Sequence, residues 1–341
     1  MKHKSSRNAT LDALKGIAII LVVLGHCIQF GSGSSFLDSK SFFDNTIFKI
    51  IYSFHMPLFM LISGYLFHFS IEKHSFGENI TIRIKTLIIP IITWQTIWLL
   101  IIEFDSLTDF CASYYFYTYL NTLWFLTSVF INSIIVLIYN KYFNDSILLY
   151  SITFIILLFI PNWHSYNLYV YMFPYFVCAY LFNKTGGFKK LNSKWKYFSG
   201  GGLIIIYLFL LSHYETTDYA YTSGTYILKN HMLSISQIST DIFRWSIGLI
   251  GSICIIIIID YISGKIKQSF LIKGLCRIGT KTMGVYIIST YLFKCFYLLP
   301  ISELSYTYII IESIITICIS LLAIWLIEQN KYLKIVLLGG R

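Results

Sequence analysis

Charge is scarce in this chain. Only 12% of its 341 residues are Asp, Glu, Lys or Arg, half the roughly 25% of a soluble globular domain. The shortage runs the whole length and excludes a soluble enzyme built around one buried core. Proline is scarce too, at 5 residues, while aromatics reach 18%, which excludes a disordered or collagen-like chain. Regular apolar/polar alternation is missing: IIPIITWQTIWLLII and SICIIIIID are continuous, unlike the strands of a transmembrane β-barrel. The seven cysteines (27, 111, 178, 254, 276, 295 and 318) stand singly, with no pair at metal or redox spacing. An odd, scattered set gives neither a disulfide framework nor a zinc site. Internal repeats and low-complexity segments are also missing. What is present is 56% hydrophobic residues and a mean hydropathy of +0.69. That pattern is an all-α polytopic membrane protein.

Apolar windows of about 19 residues predict ten spans, near 14–30, 47–69, 84–104, 119–139, 147–160, 167–183, 198–213, 242–260, 280–299 and 308–327. The fifth is short and is expected to be tilted, broken or carried through Pro161. With the N-terminus inside, 21 of the 26 Lys and Arg residues fall in inner segments; the others are Lys40, Lys49, Lys229, Arg244 and Lys294. Acidic residues lean outward, at Asp38, Asp44, Asp105, Asp109, Glu215, Asp218, Asp241 and Glu303. This bias places both termini in the cytoplasm. It also accounts for the net charge of +10 without a nucleic-acid partner. The first apolar run lacks a small-x-small cleavage site and carries His26, so it reads as an uncleaved span. One transmembrane domain covering 1–341 is expected, with no appended soluble domain. The longest connection is the outer loop 214–241.

Ionisable groups inside spans are costly and mark functional candidates, a charge at a helix centre costing roughly 2.5–3.5 kcal/mol. His26 comes first. Eleven residues separate it from Lys15, about 1100° of helix, which puts the two on one face roughly 16 Å apart. Asp12 lies near the same face. The stripe runs from a carboxylate and an ammonium at the cytoplasmic edge to an imidazole near the midplane. Such a layout suits a long anionic ligand whose reactive end is buried; a packing histidine with a basic membrane anchor accounts for it as well. His55 precedes Pro57, a residue able to bend its helix. Gly64 reads as a helix-packing contact. Arg83 and Lys85 open the third span as phosphate ligands or as snorkelling anchors. Trp124 reads as packing or as an aromatic-belt residue. Arg244 and Glu312 are candidate buried partners in the eighth and tenth spans.

LDALKGIAIILVVLGH (Leu11–His26) followed by FHMPLFMLISGYLF (Phe54–Phe67) resembles the integral-membrane acyltransferase-3 family, in its fucose 4-O-acetylase-like branch. RIKTLIIP (83–90), LWFL (123–126), FPYFVCAYLF (173–182) and GTKTMGVYI (279–287) follow in the family's order. The resemblance implies transfer of an acetyl group from cytoplasmic acetyl-CoA to a carbohydrate hydroxyl, with no permanently bound cofactor and no metal. It implies a bacterial inner-membrane protein whose partners are acyl-CoA, a lipid-linked or surface glycan, and membrane lipid. The family carries an Arg separated by ten intervening residues from its essential His. Here the His is His26 and the Arg position holds Lys15, which keeps the charge but not the planar fork. Ser289 stands where many members carry a His. By this resemblance His26, Lys15 and Asp12 form the catalytic set, with His26 as general base. Lys15, Arg83 and Lys85 hold the donor, and His55, Trp124, Tyr286 and Arg244 line the acceptor site. A lipid-linked saccharide flippase, or an inactive acyltransferase-like scaffold, is the competing reading of the same intramembrane polar residues.

Overall fold

The computed structural model describes residues 9–30, 41–101, 118–119, 121–163, 165–187, 193–229, 232–265, 269–296 and 305–340. The expectations placed on Asp38, Lys40, Asp105, Asp109, Cys111 and Glu303 lie outside them. The helices are α1 (Ala9–Phe30), α2 (Thr46–Lys73), α3 (Phe76–Ile101), α4 (Trp124–Tyr142), α5 (Ile147–Leu158), α6 (Tyr166–Lys184) and α7 (Ser193–Ser212). A single turn, α8 (Ala220–Ser223), and a hairpin of β1 (Leu228–Lys229) and β2 (Met232–Leu233) come next. Then follow α9 (Ile235–Lys265), α10 (Phe270–Gly279), α11 (Thr282–Phe296), α12 (Tyr306–Glu328) and α13 (Lys331–Leu338).

A helix occupies each of the ten apolar stretches, and α1, α2, α3, α4, α9 and α12 are long and apolar enough to cross a membrane. Boundaries differ from the sequence windows for local reasons. The α3 helix starts at Phe76 because Ser75 and Glu78 form a reciprocal capping box. α5 ends at Leu158, short of Pro161, so the fifth stretch is not continued through that proline. α9 begins at Ile235, seven residues ahead of its window, which shortens the outer connection.

The chain folds as two compact units, and α2, α9 and α12 each contribute to both. The first comprises residues 1–59, 191–213 and 247–324. Its centre is α1, packed against α10 and α11. A Cβ on Gly16 would stand 2.1 Å from the Leu275 carbonyl oxygen, and one on Gly279 would stand 1.8 Å from that of Asp12. Only glycine permits backbones so close, and this double crossing fixes the turn bearing Asp12 and Lys15. α12 shows the membrane pattern, with polar residues inside and apolar ones outside. Glu312, Ser313, Thr316 and Ser320 are buried, while Ile310, Ile311, Ile314 and Ile315 are exposed. In lipid the outer face needs no water, so the polar groups turn toward protein.

The second unit comprises residues 60–190, 214–246 and 325–341. Gly64 lets α2 meet α6, since a Cβ there would fall 2.2 Å from the Phe176 carbonyl oxygen. Asp145, between α4 and α5, ties three helices: Tyr150 and Tyr180 donate to its carboxylate at 2.8 Å, Asn140 at 2.9 Å and Lys184 at 2.6 Å. Burial alone would raise this carboxyl, but the hydrogen bonds outweigh it and hold it below the usual carboxylate range. Asn144 and Asp145 adopt positive φ (47° and 54°), a region the short polar side chains tolerate best after glycine. α13 is docked on α3 by Trp94, whose indole N–H donates to the Leu337 carbonyl at 2.9 Å.

Candidate active site

α1 is one unbroken helix of 22 residues, so the stripe expected from the sequence exists as a physical surface. Lys15 Nζ lies 2.7 Å from Asp12 Oδ1, with the Lys side chain 21% exposed and the Asp side chain 8%. Three turns on, roughly 16 Å away by helical rise, His26 leaves the same face. The residue as a whole is half-buried. Beside it lie Phe30, at 5.6 Å between centroids, and Phe293 of α11, at 5.4 Å. Phe30 and Phe293 are themselves stacked. The stacked pair gives the imidazole an apolar wall on one side.

On the other side stands Tyr52 of α2. Its hydroxyl is 3.2 Å from His26 Nδ1 and donates to Gln29 Oε1 at 2.8 Å. The Tyr52 ring stacks on Phe48, with centroids 3.8 Å apart. Gly25 makes the approach possible: a Cβ there would lie 2.8 Å from Tyr52 Cε2. His55 follows Tyr52 by one helical turn, its ring 4.7 Å away, and its Nδ1 donates to the Ile51 carbonyl at 2.8 Å. A carbonyl only accepts, so His55 carries its proton on Nδ1. Pro57 lies within α2 without ending it.

Tyr286 is buried in α11, seven residues before Phe293 and on the same side of that helix. Ser289 is 1% exposed, and its hydroxyl donates back to the Tyr286 carbonyl at 3.2 Å. That hydroxyl is directed along its own helix, unlike a ring nitrogen reaching outward. Glu312 is buried with the Cys27 thiol alongside, and neither of its carboxylate oxygens makes a hydrogen bond of ordinary geometry among the described residues.

The remaining sequence candidates belong to the second unit. Arg83 places its guanidinium 4.5 Å above the Phe67 ring. Lys85 is exposed within a π-helical turn, Ile84–Ile88. Pro90 explains that turn, since it cannot donate to the Thr86 carbonyl four residues back. The Ile89 N–H meanwhile bonds Ile84, one residue further than an α-helix allows. π-turns of this kind concentrate at functional sites. Trp124 opens α4 and packs edge-on against Phe125 at 6.0 Å. Arg244 is 1% exposed: it donates to the Gly224 carbonyl at 2.8 Å and to Ser223 Oγ at 2.6 Å, and pairs with Asp241 at 3.2 Å. It ties α9 to the segment around Gly224. Among the described residues no three His, Cys, Asp or Glu side chains are grouped to hold a metal ion.

Sequence reasoning singled out His26, Lys15 and Asp12; it did not point to Tyr52, Gln29 or Phe293, which surround the histidine in the structure. Gln29 was within reach, one turn beyond His26. Tyr52 and Phe293 come from other helices, and no local pattern pairs them with His26.

Comparison with known proteins gives these features a context. A family model described as an acyltransferase domain matches residues 8–328. The chain is 33% identical over 199 residues to nodulation protein NolL of Mesorhizobium japonicum, covering 57% of this chain and 52% of that protein. It is 44% identical over 90 residues to nodulation protein NolL of Sinorhizobium fredii, covering 26% of this chain and 24% of that one. The matches thus span about half the length of the first relative and a quarter of the second. No solved structure matches. With its family domain covering nearly all of its length, the chain belongs to the acyltransferase-3 family of membrane proteins.

Proposed function

We propose that this protein is a membrane-bound O-acyltransferase moving an acetyl group from cytoplasmic acetyl-CoA to a hydroxyl of a cell-surface or lipid-linked saccharide. The observation that carries this reading is a histidine, His26, on one helix face with the Lys15–Asp12 pair, inside an acyltransferase domain.

The chemistry needs a base. A sugar hydroxyl attacks a thioester slowly at neutral pH, and a positioned imidazole contributes about 10²–10⁴-fold by taking its proton. The hydroxyl oxygen bonds to the thioester carbonyl carbon as His26 Nε2 accepts the proton. The carbon–sulfur bond then breaks, and the CoA thiolate takes that proton from the imidazolium. Ester and thiol are the products, and His26 returns to its starting state. Lys15, oriented by Asp12, steadies donor phosphates. A donor anchored there reaches roughly 16 Å to His26, so it carries its acyl group on an extended arm, as acetyl-CoA does. The family resemblance adds Arg83 and Lys85 as phosphate ligands, and His55, Tyr286, Trp124 and Arg244 as acceptor contacts.

The same proposal has one transmembrane domain of ten spans, both termini in the cytoplasm and the bacterial inner membrane as its location. Its test is direct. Membranes with the protein, given radiolabelled acetyl-CoA, transfer label to saccharide in an alkali-labile ester, and membranes without it do not. Movement of unmodified lipid-linked saccharide with no label transferred would instead support a transporter.

A further inference from the structure

General base catalysis by a neutral histidine requires a free lone pair on the nitrogen facing the substrate. An imidazole left to itself exchanges between two tautomers, only one of which presents it. What fixes the choice is the partner of the other ring nitrogen. On the proposal that His26 is the base, the structure contains such a partner.

The hydrogens along the chain are determined by elimination. Gln29 Oε1 is an amide oxygen and only accepts. Tyr52 Oη has one proton and lies 2.8 Å from that oxygen, so the proton is committed there. Toward His26 Nδ1, at 3.2 Å, the phenol oxygen has only a lone pair to offer. The bond therefore forms only if Nδ1 carries the hydrogen, which leaves Nε2 bare. We infer that Tyr52 and Gln29 are positioning residues for His26: Gln29 orients the Tyr52 hydroxyl, and Tyr52 holds the imidazole in the tautomer with Nδ1–H and a free Nε2.

Three features show that the arrangement is built in. Gly25, next to His26, is open on the side where the Tyr52 ring rests. Phe48 stacks on that ring at 3.8 Å, so it has little freedom to swing away. Gln29 lies three residues beyond His26 on α1, so both ends of the relay stand on one rigid helix. An orienting group behind a catalytic histidine is a recurring solution; in serine hydrolases a carboxylate plays that part. Here a neutral phenol–amide pair does so, without placing another charge inside the bilayer.

The test combines a spectroscopic and a kinetic arm. Nitrogen NMR of ¹⁵N-histidine-labelled protein in lipid, with His26 identified by its loss in His26→Gln, distinguishes protonated from bare ring nitrogens. Wild type should show protonated Nδ1 and bare Nε2, and Tyr52→Phe, which keeps the ring and its stack, should show a mixture. In acetyl transfer, Tyr52→Phe and Gln29→Leu should each lower kcat about 10- to 100-fold with the KM for acetyl-CoA unchanged. The double variant should be no worse than either single one, because both remove the same relay. Protonated Nε2 in the wild type would overturn the inference, as would a Gln29→Leu enzyme with unchanged kcat and tautomer. If the tautomers follow the expected pattern but no acetyl is transferred, the relay stands and the assigned function fails.

Discussion

Gly25 and Tyr52 touch with no space left for a methyl group: a Cβ on the glycine would lie 2.8 Å from the tyrosine ring. The ring is backed by Phe48, so Gly25→Ala pushes Tyr52 sideways, away from His26. Overpacking of this kind costs about 1–3 kcal/mol. Reduced acetyl transfer together with a lowered unfolding temperature in detergent is expected. An alanine variant equal to wild type in both would show that the Tyr52 contact is dispensable.

The Lys15–Asp12 pair is assigned to donor binding. Lys15→Ala should raise the KM for acetyl-CoA several-fold or more while changing kcat less, since uniform binding is lost. Lys15→Arg restores the cation and adds the bidentate fork suited to phosphates, so its KM should be at or below that of wild type. A Lys15→Ala enzyme with normal KM and depressed kcat would move Lys15 from donor binding to the chemistry itself.

Asp145 predicts an acid-sensitive knot. Its carboxyl is held below the usual range by its donors, so its stabilising contribution is present above the unfolded value near 3.8 and fades as pH falls through the lower folded value. Thermal unfolding should be insensitive to this group from neutral pH down to about 4 and weaken below. Asp145→Ala leaves the Tyr150 and Tyr180 hydroxyls without their acceptor and should destabilise by about 1–3 kcal/mol. An alanine variant with unchanged unfolding at neutral pH would contradict the knot.

Glu312 should behave in the opposite way. Among the described residues its oxygens lack ordinary hydrogen bonds, and an unsatisfied buried group costs about 1–3 kcal/mol, more when charged. Glu312→Met, similar in volume, is expected to leave the unfolding temperature unchanged or raised. A clear loss of stability would show that the carboxyl is satisfied by something that accompanies the folded protein in the membrane.

Much of this architecture was legible in the sequence because the bilayer simplifies the code. Long apolar runs locate helices, and helical periodicity alone placed Lys15, Asp12 and His26 on one face. Gly64 marked a crossing, since only a small residue admits a neighbouring backbone; Gly16 gave no such signal. The surroundings of His26 were a different matter. Tyr52 lies 26 residues away and Phe293 much further, and both reach the imidazole through the packing of α2 and α11 on α1. Periodicity within one helix carries no information about its neighbour. Arg244 shows the same limit: the sequence marks it as a candidate buried partner without naming what it meets, and in the fold its two terminal nitrogens are bound to Gly224, Ser223 and Asp241.

The central claim is that His26 removes the proton from the acceptor hydroxyl. The most direct measurement is acetyl transfer from labelled acetyl-CoA to saccharide by wild type and by His26→Ala at matched expression in membranes. The account predicts alkali-labile label in the wild type and a loss of at least about 100-fold in the variant, with acetyl-CoA still bound. A His26→Ala protein that transfers acetyl at the wild-type rate would contradict it.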